Sequence, residues 1–242
     1  MSPDLILVIS LLILTLAIFG QCLFGFGSGL IAIPTLGLLI GLKDAVTLSL
    51  IVQMVSVIFL IRFYDHIDWK LVLPVIWGLI PGTLLGVYLL TILDEAWIRW
   101  ALTVFIIGYL IRDFFFKDKN FPFLRHQWSG FGVGSIGGII QGLIGTGGPP
   151  LVIYLNEISL KPDAFRAALL LWLCVVNVVR LVISMNTVLF SPQVIQTSLF
   201  AIPLLLLAMW AANHVRKKLN EKLYAHAIQF ILVGSVVGLM MK

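Results

Sequence analysis

Gln21, Ser28, Gln141 and Thr146 place hydrogen-bond donors inside long apolar runs, each within a short glycine-rich stretch. The first stretch is Gln21-Cys22-Leu23-Phe24-Gly25-Phe26-Gly27-Ser28-Gly29, with Pro34 shortly after. The second, 120 residues later, is Gln141-Gly142-Leu143-Ile144-Gly145-Thr146-Gly147-Gly148-Pro149-Pro150. Gln, Leu, Gly and Gly match at the same four positions of both copies. Glycines open backbone angles closed to other residues, and paired prolines suit the first turn of a new helix. The pattern predicts helix, unwound glycine segment, helix. The free N–H groups at the start of the second helix carry the positive end of its dipole and favour an anion. Amide and hydroxyl donors beside them suit the same ligand. The plainer reading of glycines in apolar helices is close helix packing, but two matching breaks, one per half, point to the binding site of a transporter.

A second candidate pair lies farther along. Arg180 and Asn177 stand one turn apart on one helix face within an apolar run. A cation there either contacts an anion or, six residues before Asn186, snorkels to the outer surface. Gln53 is a weaker candidate. Asp44 and Asp163 precede apolar runs in both halves and read as helix N-caps. Asn156 and Glu157 end the second broken segment and read as capping or water-facing groups. Trp69, Trp77, Trp97 and Trp128 lie near run ends and read as interface anchors.

The elements that position these residues follow from hydropathy. Of 242 residues, 60% are hydrophobic and only 11% charged, with a mean hydropathy of +1.09. Apolar runs cover 4–41, 46–61, 71–93, 96–111, 128–156, 164–185, 188–213 and 223–241. Several reach the ~20 residues that span a bilayer. The chain is therefore expected to be an all-α polytopic membrane protein. The run at 4–41 as one helix would measure ~57 Å, nearly twice the ~30 Å hydrocarbon core, so two pieces separated at the glycines fit better.

The likeness between the halves extends past the glycines. Leu42-Lys43-Asp44-Ala45 resembles Leu160-Lys161-Pro162-Asp163-Ala164, and Glu95, Ala101 and Gly108 align with Glu221, Ala227 and Gly234. We expect an N-terminal repeat at 1–115, a basic cytoplasmic linker at 116–125 and a C-terminal repeat at 126–242. Each repeat is a broken or re-entrant glycine-rich helix followed by three transmembrane helices. If every run crosses once, Lys and Arg divide seven against eight between the two sides. If each broken run returns to its own side, they divide twelve against three, with Arg180 left inside. Short loops should show a bias, so the repeats are expected to have inverted topology, with the basic side cytoplasmic and both termini outside.

Other classes fit poorly. Cys22 and Cys174 and the scattered histidines have no metal or redox spacing. The pI of about 9.4 reflects basic loops and not a nucleic-acid surface. Position 26 is Phe, so Gly27-Ser28-Gly29 fails the Gly-x-Ser-Gly pattern of an intramembrane serine protease, and no nucleotide-binding loop exists. An enzyme is not expected, nor is a cofactor. The N-terminus lacks the basic start of a removable signal peptide.

At Gly25-Phe26-Gly27-Ser28-Gly29 with Pro34, and at Gly142-Leu143-Ile144-Gly145-Thr146-Gly147-Gly148-Pro149, the chain resembles the sulfite exporter TauE/SafE family, also called the toluene sulfonate uptake permease family. The resemblance covers nearly the whole chain. The first copy departs from the second in lacking a proline directly after its glycines. The resemblance implies a bacterial inner-membrane permease, multi-pass, for a small anion such as sulfite, thiosulfate, sulfoacetate or a related organosulfonate. It implies a secondary carrier working by alternating access. Its expected site is Gln21, Gly25, Gly27, Ser28 and Gly29 from one break and Gln141, Gly145, Thr146, Gly147, Gly148 and Pro149 from the other, with Asn177 and Arg180 nearby. Alternatives are an anion channel of the same architecture or a non-transporting membrane subunit. Partners are the small anion and the lipid bilayer, with proton coupling and oligomeric state left open.

Overall fold

The computed structural model describes residues 3–24, 27–57, 64–115, 121–126, 128–158, 160–185, 191–215, 232–234 and 237–240. Among these residues the regular elements are helices. In the first half they are α1 (Pro3–Phe24), α2 (Ser28–Ile40), α3 (Leu42–Ser56), α4 (Trp69–Ile92) and α5 (Glu95–Phe115). The second half contributes α6 (Ser129–Ile144), α7 (Gly148–Glu157), α8 (Pro162–Ser184) and α9 (Pro192–Val215). Half of the basic linker, 116–120, and the run from 216 to 231, with Glu221 and Ala227, lie outside the described residues.

Four of these helices carry segments long and apolar enough to cross a membrane: Asp4–Cys22, Trp69–Ile92, Asp163–Ser184 and Val194–Ala212. Ser28–Ile40 and Ser129–Ile144 are shorter and apolar. The large side chains that face outward are those a bilayer accepts: Leu12, Leu16, Val104, Leu199 and Leu207 are exposed, as are all four expected anchors, Trp69, Trp77, Trp97 and Trp128. Pro34, Pro74, Pro81 and Pro203 stand inside helices. Neighbouring helices in a bundle re-satisfy the backbone groups that such prolines free.

Both broken helices are separated as the glycines require. α1 ends at Phe24 and α2 starts at Ser28 after Gly27, whose φ is 105°. α6 ends at Ile144 and is capped by Gly145, whose φ is 67° and whose N–H bonds back to the Gln141 carbonyl at 3.0 Å. An L side chain at either angle is strained. In the second half the chain doubles back. A Cβ placed on Gly147, at the start of α7, would strike the Gly137 carbonyl and Gln141, and one placed on Gly130 would lie 3.0 Å from the Tyr154 hydroxyl. The start of α7 thus lies beside the end of α6, and its end beside the start of α6. Glu157 closes the base: its Oε1 accepts the Phe121 N–H at 2.7 Å, and its Oε2 lies 3.7 Å from Arg125 Nε. Glu157 is buried, not water-facing as its position suggested.

The two halves interlock. α1 packs on α9, and α6 packs on α4, so the first helix of each half lies against the fourth of the other. The α4–α6 contact is built from glycine on both sides. A Cβ on Gly78, Gly82 or Gly86 would collide with the backbone of Phe131, Ser135 or Ile139, and one on Gly134, Gly138 or Gly142 with that of Val75, Leu79 or Thr83. This is a ladder of small residues four apart on two facing helices, which allows backbone-to-backbone approach. Register rises together along both, so the helices run parallel. On α3 and α8 the sense is opposite: Arg180, late in α8, reaches Val46, early in α3, and Ser191 after α8 meets Asp44. Asp44 and Asp163 are not caps. The N-cap residues are Gly41 and Lys161, and the two carboxylates sit in the first turns of α3 and α8, where they still suit the helix dipole.

Candidate functional site

The two breaks touch. A Cβ on Gly29 would run into the carbonyl of Gly145 and lie 3.1 Å from Gln53 Nε2. Around this contact lies a cavity lined by Gln21, Gly27, Ser28, Gly29, Gln141, Gly145, Thr146, Gly148 and Pro149, with Gln53 and Trp172 completing its polar wall. Gly25 lies outside the described residues. Gly147 sits directly behind, held by its N–H to Gln141 Oε1 at 2.6 Å. The cavity volume is about 20 Å³, room for about one water.

Glutamines brace the breaks. Gln141 Nε2 donates to Gln53 Oε1 at 2.6 Å, and Gln53 Nε2 donates to the Gly145 carbonyl at 3.1 Å. On the other side Ser28 Oγ donates to Gln21 Oε1, and Gln21 Nε2 donates to Ser56 Oγ at 2.6 Å. Gln53 thus holds the Gly145 carbonyl, Gln141 accepts the Gly147 N–H and Gln21 ties Ser28 to Ser56, in a place where unsatisfied backbone groups are costly. Gln53 and Trp172 follow Asp44 and Asp163 by the same nine residues.

Several donors facing this region are unspent. The first helical bond of α2 runs from the Ile31 N–H to the Gly27 carbonyl, so the N–H groups of Ser28, Gly29 and Leu30 have no intrahelical partner. α7 offers only Gly148 in its first turn, because Pro149 and Pro150 carry no N–H. The buried Thr146 hydroxyl and the Trp172 indole nitrogen have no hydrogen-bond partner among the described residues.

Arg180 and Asn177 stand beside the cavity and not in its lining. Arg180 is 2% exposed, so it does not snorkel to the surface. The cause is its packing against α3: Nη2 donates to the Val46 carbonyl at 3.1 Å, and Nη1 donates to Asn177 Oδ1 at 3.4 Å. Nη2 lies 3.7 Å from the place a Gly145 Cβ would occupy. No carboxylate pairs with Arg180 among the described residues. A buried cation without a counter-charge is costly, and an anion at the break would supply one. Among the described residues no cluster of His, Cys, Asp and Glu could hold a metal ion.

Sequence reading singled out both breaks but did not place Trp172 in the site. Its signal was weak, a lone indole in a run of Leu and Val, and only the spacing it shares with Gln53 distinguishes it.

No solved structure matches the chain. A curated relative from Cupriavidus necator, named "Probable sulfite/organosulfonate exporter TauE", is 27% identical over 230 residues, covering 91% of this chain and 88% of its own length. The family model described as "Sulfite exporter TauE/SafE" matches residues 10–241, so the chain belongs to the sulfite exporter TauE/SafE family.

Proposed function

We propose that this chain is a secondary transporter of a small sulfur oxyanion, held between the two broken helices near the membrane midplane. The observation that carries the reading is the meeting of the Gly27–Gly29 and Gly145–Gly148 breaks around one cavity. Membership of an exporter family and the name of its relative support the sulfur-anion class. The anion accepts from the amides of Ser28, Gly29, Leu30 and Gly148 and from the Thr146 hydroxyl, while Arg180 balances its charge from behind the break. The site assignment extends to Gln21, Gly25, Gln141, Gly147, Pro149 and Asn177 as the shell that shapes it.

An inverted arrangement of the repeats is part of the proposal. It is supported by the return of α7 along α6, by the opposite sense of α3 and α8, and by the exchange of α1–α9 and α4–α6 contacts. With the basic loops cytoplasmic, both breaks enter from opposite faces. A cavity of about 20 Å³ is too small for sulfite, so binding requires the site to widen. Movement of one hairpin against the other opens the site to each side in turn. A cytoplasm held negative drives an anion outward by about 2.3 kcal/mol per charge per 100 mV, so export needs no ionisable coupling group in the path.

Purified protein in liposomes tests the reading. Sulfite, thiosulfate or sulfoacetate should move saturably and compete with one another. Ohmic single-channel currents would instead mark a channel, and no flux of any small anion would defeat the proposal.

A further inference from the structure

A second cavity lies at the base of the α6–α7 hairpin, on the basic side. Lys70, Arg125, His126, Tyr154 and Glu157 line it, and its volume is about 500 Å³. It is far larger than the space at the breaks and open to the surface. Its charge is one-sided. Glu157 is already engaged, through Oε1 to the Phe121 N–H and through Oε2 to Arg125 Nε. The Lys70 ammonium has no partner among the described residues, since only its backbone N–H is bonded, to Asp68. His126 Nδ1 accepts a long bond from the Trp128 N–H at 3.4 Å, which leaves Nε2 free. The guanidinium of Arg125, 60% exposed and touched only at Nε, keeps its terminal nitrogens for a ligand.

The cavity is also placed on the way to the breaks. Pro149 lines the central cavity and Tyr154 the outer one, both on α7. Five residues of helix separate them by ~7.5 Å. Exposed Trp69 and Trp128 flank the mouth in sequence and mark the level of the membrane interface.

We propose that this vestibule is a second oxyanion site, gripping a sulfite-, sulfonate- or phosphate-type group between Lys70, Arg125 and His126. Its occupant is either the transported anion, queued before the site at the breaks, or the headgroup of an anionic lipid. The first alternative rests on the transport reading above; the second does not. Glu157 is a positioning residue: its carboxylate ties Arg125 to the foot of α7, so an anion bound to Arg125 is mechanically linked to the helix whose N-terminus frames the central site.

Equilibrium binding of radiolabelled sulfite to the full chain in phosphatidylcholine nanodiscs tests the site without requiring flux. The wild type should bind two sulfites per chain. Lys70→Gln, which leaves the Arg125–Glu157 contact in place, should weaken one of them about tenfold, and Lys70→Gln with Arg125→Gln should abolish it. Arg180→Met should weaken the other site about thirtyfold and spare this one. Adding phosphatidylglycerol distinguishes the sources: displacement of the vestibular sulfite assigns the lipid headgroup, and its retention assigns the transported anion. Equal stoichiometry and affinity in the wild type and Lys70→Gln would overturn the proposal. A chain that binds at the vestibule but moves no anion in liposomes would overturn the transport reading alone.

Discussion

Replacing Arg180 with Met separates an anion-binding cation from a structural one. Without anion, the wild type keeps a cation buried at 2% exposure with only Val46 and Asn177 as partners among the described residues. Exchanging a poorly compensated buried charge for a side chain of similar volume is often neutral or stabilising, so the anion-free variant should melt within a few degrees of the wild type. With anion the signs diverge. Truncating one partner of a buried charge contact costs ~2 kcal/mol or more, which is ~30-fold in Kd. At a sulfite concentration of ~100 Kd the wild type gains about 2.7 kcal/mol of stability, and the variant only ~0.9 kcal/mol. At ~2–4 °C per kcal/mol for a chain of this size, the ligand-induced shift is ~5–11 °C for the wild type and ~2–4 °C for Arg180→Met. Differential scanning fluorimetry across a sulfite titration reads both quantities. Equal shifts in the two proteins would refute the role of Arg180. A collapse of the anion-free variant by several kcal/mol would mark the residue as a strut.

Three further outcomes follow from the same geometry. Thr146→Val should weaken sulfite binding about tenfold while leaving the melting temperature unchanged, because its hydroxyl has no partner among the described residues in the empty protein; a titration with both proteins measures it. Gly82→Leu should destabilise the fold by several kcal/mol, since its Cβ meets the Ser135 backbone, whereas Gly108→Leu, with nothing within 4 Å, should be silent; thermal melting compares them. In a background with Cys22 and Cys174 replaced by Ser, Asp65→Cys and Lys161→Cys should label with an impermeant thiol reagent from the same side of the membrane. Labelling from opposite sides would favour single crossings and contradict the inverted arrangement.

The breaks were legible because glycine and proline crowd into two matching stretches, each with a glutamine four residues before its first matching glycine. The bracing by Gln53 was only half legible. A single amide in an apolar helix announces a buried polar contact but not its partner, which comes from the other half of the chain at Gly145 and Gln141. The glycine ladder was visible as spacing of four in Gly78-Gly82-Gly86 and Gly130-Gly134-Gly138-Gly142. That spacing does not say that these two helices face one another. For Arg180 the sequence leaves anion contact and snorkelling both open, because distance to Asn186 along the chain is not distance to water; packing of α8 on α3 decides for burial. For Glu157, read as capping or water-facing, the water-facing alternative fails because the hairpin folds its helix end onto residues 121–125.

The central claim is that the two breaks together form one transport site. Sulfite flux into liposomes by the wild type and by Gly29→Val, which forces a side chain into the Gly145 carbonyl across the break contact, tests it most directly. Saturable wild-type flux that disappears in a Gly29→Val protein still folded in the membrane is the predicted result. Wild-type flux rates in Gly29→Val would contradict the account.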